Sequence, residues 1–222
     1  MDRYEYRFPQ IPLATRNLMI ACAVIFVLQQ IPGIGSLGSI GGWINQTFML
    51  YPPSWPQFRP WQPVTYAFLH YDVGHIVFNL LGLFMFGTSL EQLWGRKRYL
   101  QLLAASVVMA GVIHIVISTL LRGQAGPLLG ISGGVFGLLM AQAMMFPHQP
   151  TLFFMVLPME NRTAVAIFGA IELLLGVSHD GVAHFAHLGG MLGAWLIILW
   201  WRRGGGSGGR GSSKKPPLRR VH

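Results

Sequence analysis

The sequence predicts an all-α, polytopic membrane protein with six transmembrane helices. Three observations carry this. Of the 222 residues, 52% are hydrophobic and only 10% charged, whereas a soluble domain carries about 25% charged residues. Apolar stretches recur at close to the roughly 20 residues needed to cross a hydrocarbon core. The basic residues behind the net charge of +9 collect on alternate connections between those stretches.

Residues 1–14 form a charged N-terminal segment, and 15–201 the membrane domain. The first span is expected at 15–33. It follows charged residues and lacks a small-residue cleavage site, which predicts a retained helix and not a removed signal peptide. Cys22, the single cysteine, lies inside it and reads as packing, because one thiol excludes an internal disulfide. Residues 34–73 form a long first outer loop with PPSWP at 52–56. Trp43, Trp55 and Trp61 in this loop suit a membrane interface.

The second and third spans are expected at 74–94 and 98–120, and the fourth at 129–146. TLFFMVL (151–157) reads as an interfacial segment or as part of a longer tilted helix. The fifth span, 163–177, is short, and the sixth runs over 182–201. The tail, 202–222, is Gly/Ser-rich and then basic. It is expected to be disordered and to touch anionic lipid.

With the N-terminus inside, the outer loops hold only Arg59 and Arg122 of the 16 basic residues. This bias predicts cytoplasmic termini, and the even number of spans agrees with it. It also accounts for the charge without nucleic acid, which so short a basic tail does not imply as a partner.

Strongly polar side chains are costly in lipid and tend to mark function or a paired structural role. His75 and Asn79 are four apart and share one face of the second span. Ser132 opens the fourth span within LLGISGGVFGLL (128–139), and His187 lies near the start of the sixth. These three spans all run from outside to inside, so the four polar residues fall at similar depth near the outer face. Gly130, Gly133, Gly134 and Gly137 thin the fourth span, and Gly189, Gly190, Gly193 and Ala194 the sixth, which allows close helix approach. That pattern suits a serine nucleophile, Ser132, with His187 as its base. No acidic residue lies near either in sequence, so a two-residue dyad is expected. His75, Asn79 and the Ser132 N–H suit an oxyanion hole, in which one donor is worth about 3 kcal/mol.

Blander roles compete. Taken alone, a glycine-flanked serine in a membrane helix is more often a packing contact. His114 reads as a hydrogen-bonded structural residue, His70 as interfacial, and His184 receives no role. Glu172, a carboxylate inside the fifth span, reads as a proton relay or, more readily, as a paired structural group. Zinc on His75, His184, His187 and a carboxylate would leave the serine idle and lacks an HExxH motif, so no metal or cofactor is expected. A small transporter would need an internal repeat, which the sequence does not show.

From about Trp61 to the end of the sixth span, the chain resembles the rhomboid intramembrane serine proteases. GISG (130–133) is similar to the family's GxSG and implies Ser132 as nucleophile. AHLGG (186–190) is similar to AHxxG and implies His187 as base, with Gly190 beside it. HIVFN (75–79) matches HxxxN and implies that His75 and Asn79 line the oxyanion hole. GTSLEQLWG (87–95) matches GxxxExxxG, with Glu91 structural. Phe136 falls where the family often has an aromatic ring beneath the histidine. The family frequently has Trp-Arg in the first outer loop, where this chain has Trp61-Gln62. The resemblance implies a rhomboid-like bundle in a bacterial cell membrane that cleaves peptide bonds in or near transmembrane segments of membrane-protein substrates. The fifth span and the 176–182 connection are expected to gate entry. A non-catalytic rhomboid-like binder of membrane helices is the alternative, and it would tolerate Ser132→Ala.

Overall fold

The computed structural model describes residues 10–32, 39–121, 126–153, 156–177 and 182–204. The N-terminal residues 1–9, most of the basic tail and residues 178–181 of the expected gate lie outside these.

The described residues are mostly helical, and helices occupy each of the six apolar stretches. Helix α1 spans Leu13–Gln29, and the first outer loop contains α2, Ile40–Phe48, and the short α3, Gln62–Thr65. Helix α4, Val73–Gly82, passes through a π-turn at Leu83–Gly87 into α5, Thr88–Leu120. Then come α6, Ser132–Met145, α7, Asn161–Gly176, and α8, Val182–Gly204. By length and composition, Val73–Leu120 and Val182–Arg203 can cross a membrane, while Leu13–Gln29 and Ser132–Met145 are apolar but shorter.

Local chemistry sets several of these ends. Asp72 caps α4 by accepting from the His75 N–H at 2.8 Å, and Ser39 caps α2 through the Gly42 N–H at 2.9 Å, as oxygen-bearing N-caps do. Helix α1 has no cap of its own. Its first turn is capped from α5 by Glu91, whose carboxylate accepts from the N–H groups of Ala14 (2.9 Å) and Thr15 (2.7 Å). The negative charge there also complements the positive end of the helix dipole. Gly95 breaks α5 with φ 75°, which separates the expected second and third spans.

Two expectations change. The chain is not purely helical: Pro150–Phe153 (β1) and Leu157–Glu160 (β2) form an antiparallel hairpin with Thr151 opposite Met159. Prolines at 147, 150 and 158 disfavour the longer tilted helix, one of the two readings of the apolar run, and the extended strands instead bury Phe153. His114 is buried, with neither ring nitrogen bonded to a partner among the described residues.

Helix α8 packs against both α5 and α6. Small residues make this possible. A methyl group on Gly190 would overlap the Gly133 carbonyl of α6, and one on Gly189 would lie 3.0 Å from Cα of Ala110 on α5. The outer helix faces are apolar, with Val27, Leu120, Leu174 and Trp200 all exposed.

Candidate active site

The first outer loop is fastened to the stretch that leads into α6. Leu50 and Leu128 exchange two main-chain hydrogen bonds, at 2.9 and 2.8 Å, and the Gly130 N–H donates to the Tyr66 carbonyl at 3.0 Å. Tyr66 is itself anchored, its hydroxyl donating to the Val107 carbonyl at 2.8 Å. Gly130 adopts φ 105°, and a Cβ there would sit 2.6–2.7 Å from the His75 ring. Glycine at 130 therefore does two things: it turns the chain into α6 and leaves room for His75. Ser132 follows as the first residue of α6.

His187 comes from α8. Its Nε2 lies 2.8 Å from Ser132 Oγ, and its ring stacks on Phe136, one turn after Ser132, at 4.5 Å and 6°. The close approach of Gly133 and Gly190 brings the two helices near enough for this bond. Phe136 fixes the plane of the imidazole.

A carboxylate adjoins the Ser132–His187 pair. Glu172 Oε2, on α7, lies 2.8 Å from His187 Nδ1 and 2.7 Å from His184 Nδ1. A carboxylate can only accept, so each imidazole carries its proton on Nδ1. His187 Nε2 is then a lone pair facing the serine hydroxyl, the tautomer a general base requires. Sequence distance hid this pairing, because Glu172 precedes His187 by fifteen residues on a separate helix. The available signals were a carboxylate inside an apolar span and two histidines three apart.

His75 and Asn79 reach the same cavity from α4. The Tyr71 N–H points at His75 Nδ1, 3.4 Å away, which leaves the His75 proton on Nε2. Asn79 is buried, and its Nδ2 has no hydrogen-bond partner among the described residues. His70 is buried and meets His75 edge-on at 5.3 Å. Burial pushes the His70 imidazole down to about 4, and the neighbouring His75 adds to the effect.

His75, Asn79, Ser132, Glu172 and His187 line one cavity of about 470 Å³. Its remaining wall is apolar, with Met85, Phe86 and Phe168 among the lining residues. Phe153 of the hairpin also lines it and packs on Phe86 at 5.8 Å and Phe168 at 5.7 Å. Glu91 lies apart from this group, at the start of α1.

Residues 57–203 match the rhomboid domain family. The chain belongs to the rhomboid family. Among its relatives, RHOMBOID-like protein 12, mitochondrial, of Arabidopsis thaliana is 27% identical over 193 residues, covering 78% of this chain and 54% of that protein. Rhomboid protease GlpG of Serratia proteamaculans is 32% identical over 130 residues, covering 56% and 40%. Rhomboid protease GluP of Bacillus subtilis is 26% identical over 133 residues, covering 60% and 24%. This rhomboid chain thus spans from about a quarter to about half the length of these relatives.

In this rhomboid, Gln62 of the Trp61-Gln62 pair is wholly buried. Its Oε1 accepts from the N–H groups of Arg59 (3.1 Å) and Tyr51 (3.3 Å), and its Nε2 donates to the carbonyls of Gln57 (2.9 Å) and Thr47 (3.3 Å). One uncharged amide thereby ties four main-chain groups of the first outer loop together. Trp61 adds a fifth tie through Nε1 to the Thr47 carbonyl at 3.0 Å.

Proposed function

We propose that this protein is an intramembrane serine endopeptidase, hydrolysing peptide bonds in or near transmembrane segments of membrane-protein substrates. The observation that carries the reading is the 2.8 Å pairing of Ser132 Oγ with a His187 whose proton is held on the far nitrogen. Family membership and the names of the two bacterial protease relatives support it.

Each group then has a task. Ser132 Oγ attacks the scissile carbonyl while its proton passes to His187 Nε2. Glu172 keeps the imidazole oriented and stabilises the cation that forms. The negative oxygen of the tetrahedral intermediate is held by His75 Nε2–H, Asn79 Nδ2–H and the Ser132 N–H. Asn79, buried with an unused donor, is suited to a charge that appears only during reaction. Collapse breaks the C–N bond, and His187 returns the proton to the departing amine. A water then attacks the acyl-serine by the same route.

The apolar walls of the cavity favour a substrate segment drawn from lipid, and helix-weakening residues in it would free its carbonyls. In this reading the six helical stretches are six spans in a bacterial cell membrane. Residues 1–14 and 202–222 then lie in the cytoplasm, and the first outer loop on the opposite side, where Ser132 opens. The basic residues support that orientation.

The test is reaction with a fluorophosphonate probe in detergent, comparing wild type, Ser132→Ala and His187→Ala. Labelling of wild type alone is expected, followed by cleavage of a transmembrane substrate in proteoliposomes. Equal labelling of all three proteins would refute the assignment of Ser132.

A further inference from the structure

His184 has no part in the serine chemistry, yet its ring is aimed at the carboxylate that holds the base. Glu172 Oε2, His184 Nδ1 and His187 Nδ1 all lie within 4.8 Å of one another. Two imidazole nitrogens and a carboxylate oxygen are the protein donor set of many three-ligand zinc sites, with a water as fourth ligand. Imidazole also suits cobalt, copper and nickel.

We propose that Glu172, His184 and His187 form a binding site for a divalent transition-metal ion of the zinc type, whose occupancy switches the serine off. The binding half stands on the three ligands. The switching half rests on the serine-hydrolase reading above. The sequence predicts no metal in the chemistry, and none is invoked for it; this ion opposes catalysis.

The geometry needs little adjustment. Zinc bonds to nitrogen and oxygen run at about 2.0–2.2 Å, so tetrahedral ligand atoms sit roughly 3.3 Å apart. The carboxylate oxygen now lies 2.7 and 2.8 Å from the two nitrogens, so those two pairs open by about half an ångström, and the two nitrogens, within 4.8 Å of one another, reach the same spacing by ring rotation. The ion would replace the two shared Nδ1 protons. Access is asymmetric: the Glu172 side chain is 10% exposed, those of His187 and His184 19% and 31%. The ion and its water can therefore approach from the His184 side.

The switching follows from proton bookkeeping on His187. Metal on Nδ1 obliges a neutral imidazole to carry its proton on Nε2. That nitrogen faces Ser132 Oγ at 2.8 Å, so it becomes a donor and can no longer accept the serine proton. Both rings shift a proton from Nδ1 to Nε2. No proton need leave the protein, and nothing is oxidised or reduced.

The experiment uses full-length protein without a polyhistidine tag. A His148→Ala background removes the exposed His148–Glu160 pair, 3.6 Å apart, as a competing site. Cobalt(II) is added first to the Ser132→Ala protein, where the visible bands of a tetrahedral centre are expected, bleached by zinc and missing in His184→Asn. That arm needs no activity, so it judges the site even if the hydrolase reading fails. Absence of the bands from the folded Ser132→Ala protein overturns the proposal, whatever the variants do.

In the second arm, saturating zinc is expected to slow fluorophosphonate labelling at Ser132 more than about 10-fold, since general-base help is worth at least that, with recovery in EDTA. Each protein is scored as the ratio of rates with and without zinc, and that ratio should approach one in His184→Asn. Bands without slowed labelling would overturn the switch. Slowing that persists undiminished in folded His184→Asn would place the inhibitory ion elsewhere and overturn it too. Failure of wild type to label without metal would count against the hydrolase reading alone.

Discussion

A methyl group placed on Gly190 of α8 would overlap the carbonyl oxygen of Gly133 on α6. The helices that carry His187 and Ser132 are thus in backbone contact beside Ser132 and one turn from His187. Gly190→Ala should push them apart at a cost of about 1–3 kcal/mol, the usual penalty for overpacking. Lengthening the 2.8 Å Ser132–His187 bond should cut labelling far more than it lowers Tm. A Gly190→Ala protein that labels at the wild-type rate would show that the contact does not set the pairing.

Glu172→Gln keeps the shape but lets the side chain offer an amide to His187 Nδ1. The imidazole is then free to adopt the wrong tautomer, and probe labelling should fall on the order of 10²-fold. His187→Ala should fall further. An unchanged rate in folded Glu172→Gln would reduce the carboxylate to a packing role.

Asn79→Ala removes a donor from the cavity without touching the Ser132–His187 bond. Peptide hydrolysis should drop by about 3 kcal/mol of transition-state stabilisation, near 10²-fold. The loss should appear in kcat with little change in KM. A change confined to KM would assign Asn79 to substrate binding instead.

Gln62→Ala removes a hydrogen bond from four main-chain groups of the first outer loop, of which the Thr47 carbonyl keeps Trp61 Nε1 as a partner. A buried polar group left unsatisfied costs about 1–3 kcal/mol, so a clear fall in Tm is expected. Restoration of Tm by Gln62→Glu is not expected, because a carboxylate cannot donate to the Thr47 and Gln57 carbonyls.

His70 gives the fold an acid-labile element. Its folded value of about 4 lies below the ordinary histidine value of about 6.5, so the unfolded chain binds the extra proton between those limits. Stability is full above about pH 6.5 and falls as pH drops towards 4, by up to about 3 kcal/mol. Tm measured at about pH 7 and about pH 4.5 should drop less for His70→Phe than for wild type. Equal drops would assign the acid sensitivity to other groups.

The convergence of Ser132 and His187 was legible because depth in a membrane can be read from the direction of each span. Both residues lie near the start of apolar stretches that the basic residues predict to run inward, and glycine supplies the close approach. Glu172 was not legible, since the rotation of α7 about its axis decides what that carboxylate meets, and composition does not set rotation. The hairpin at 150–160 hid for a different reason: an apolar run scores alike as helix or strand, and only its prolines argue for extension. Gln62 read as a departure from a familiar pair because its value lies in four main-chain partners, none of which has a side-chain signature.

The joint between Leu50 and Leu128 is made wholly of main-chain atoms. It is therefore blind to side-chain identity, and any apolar residue that fills the same buried space would preserve it. A substitution scan would record both positions as merely greasy and miss a main-chain pin four residues before Ser132. Only proline, which lacks the N–H that each position donates, would pull that pin.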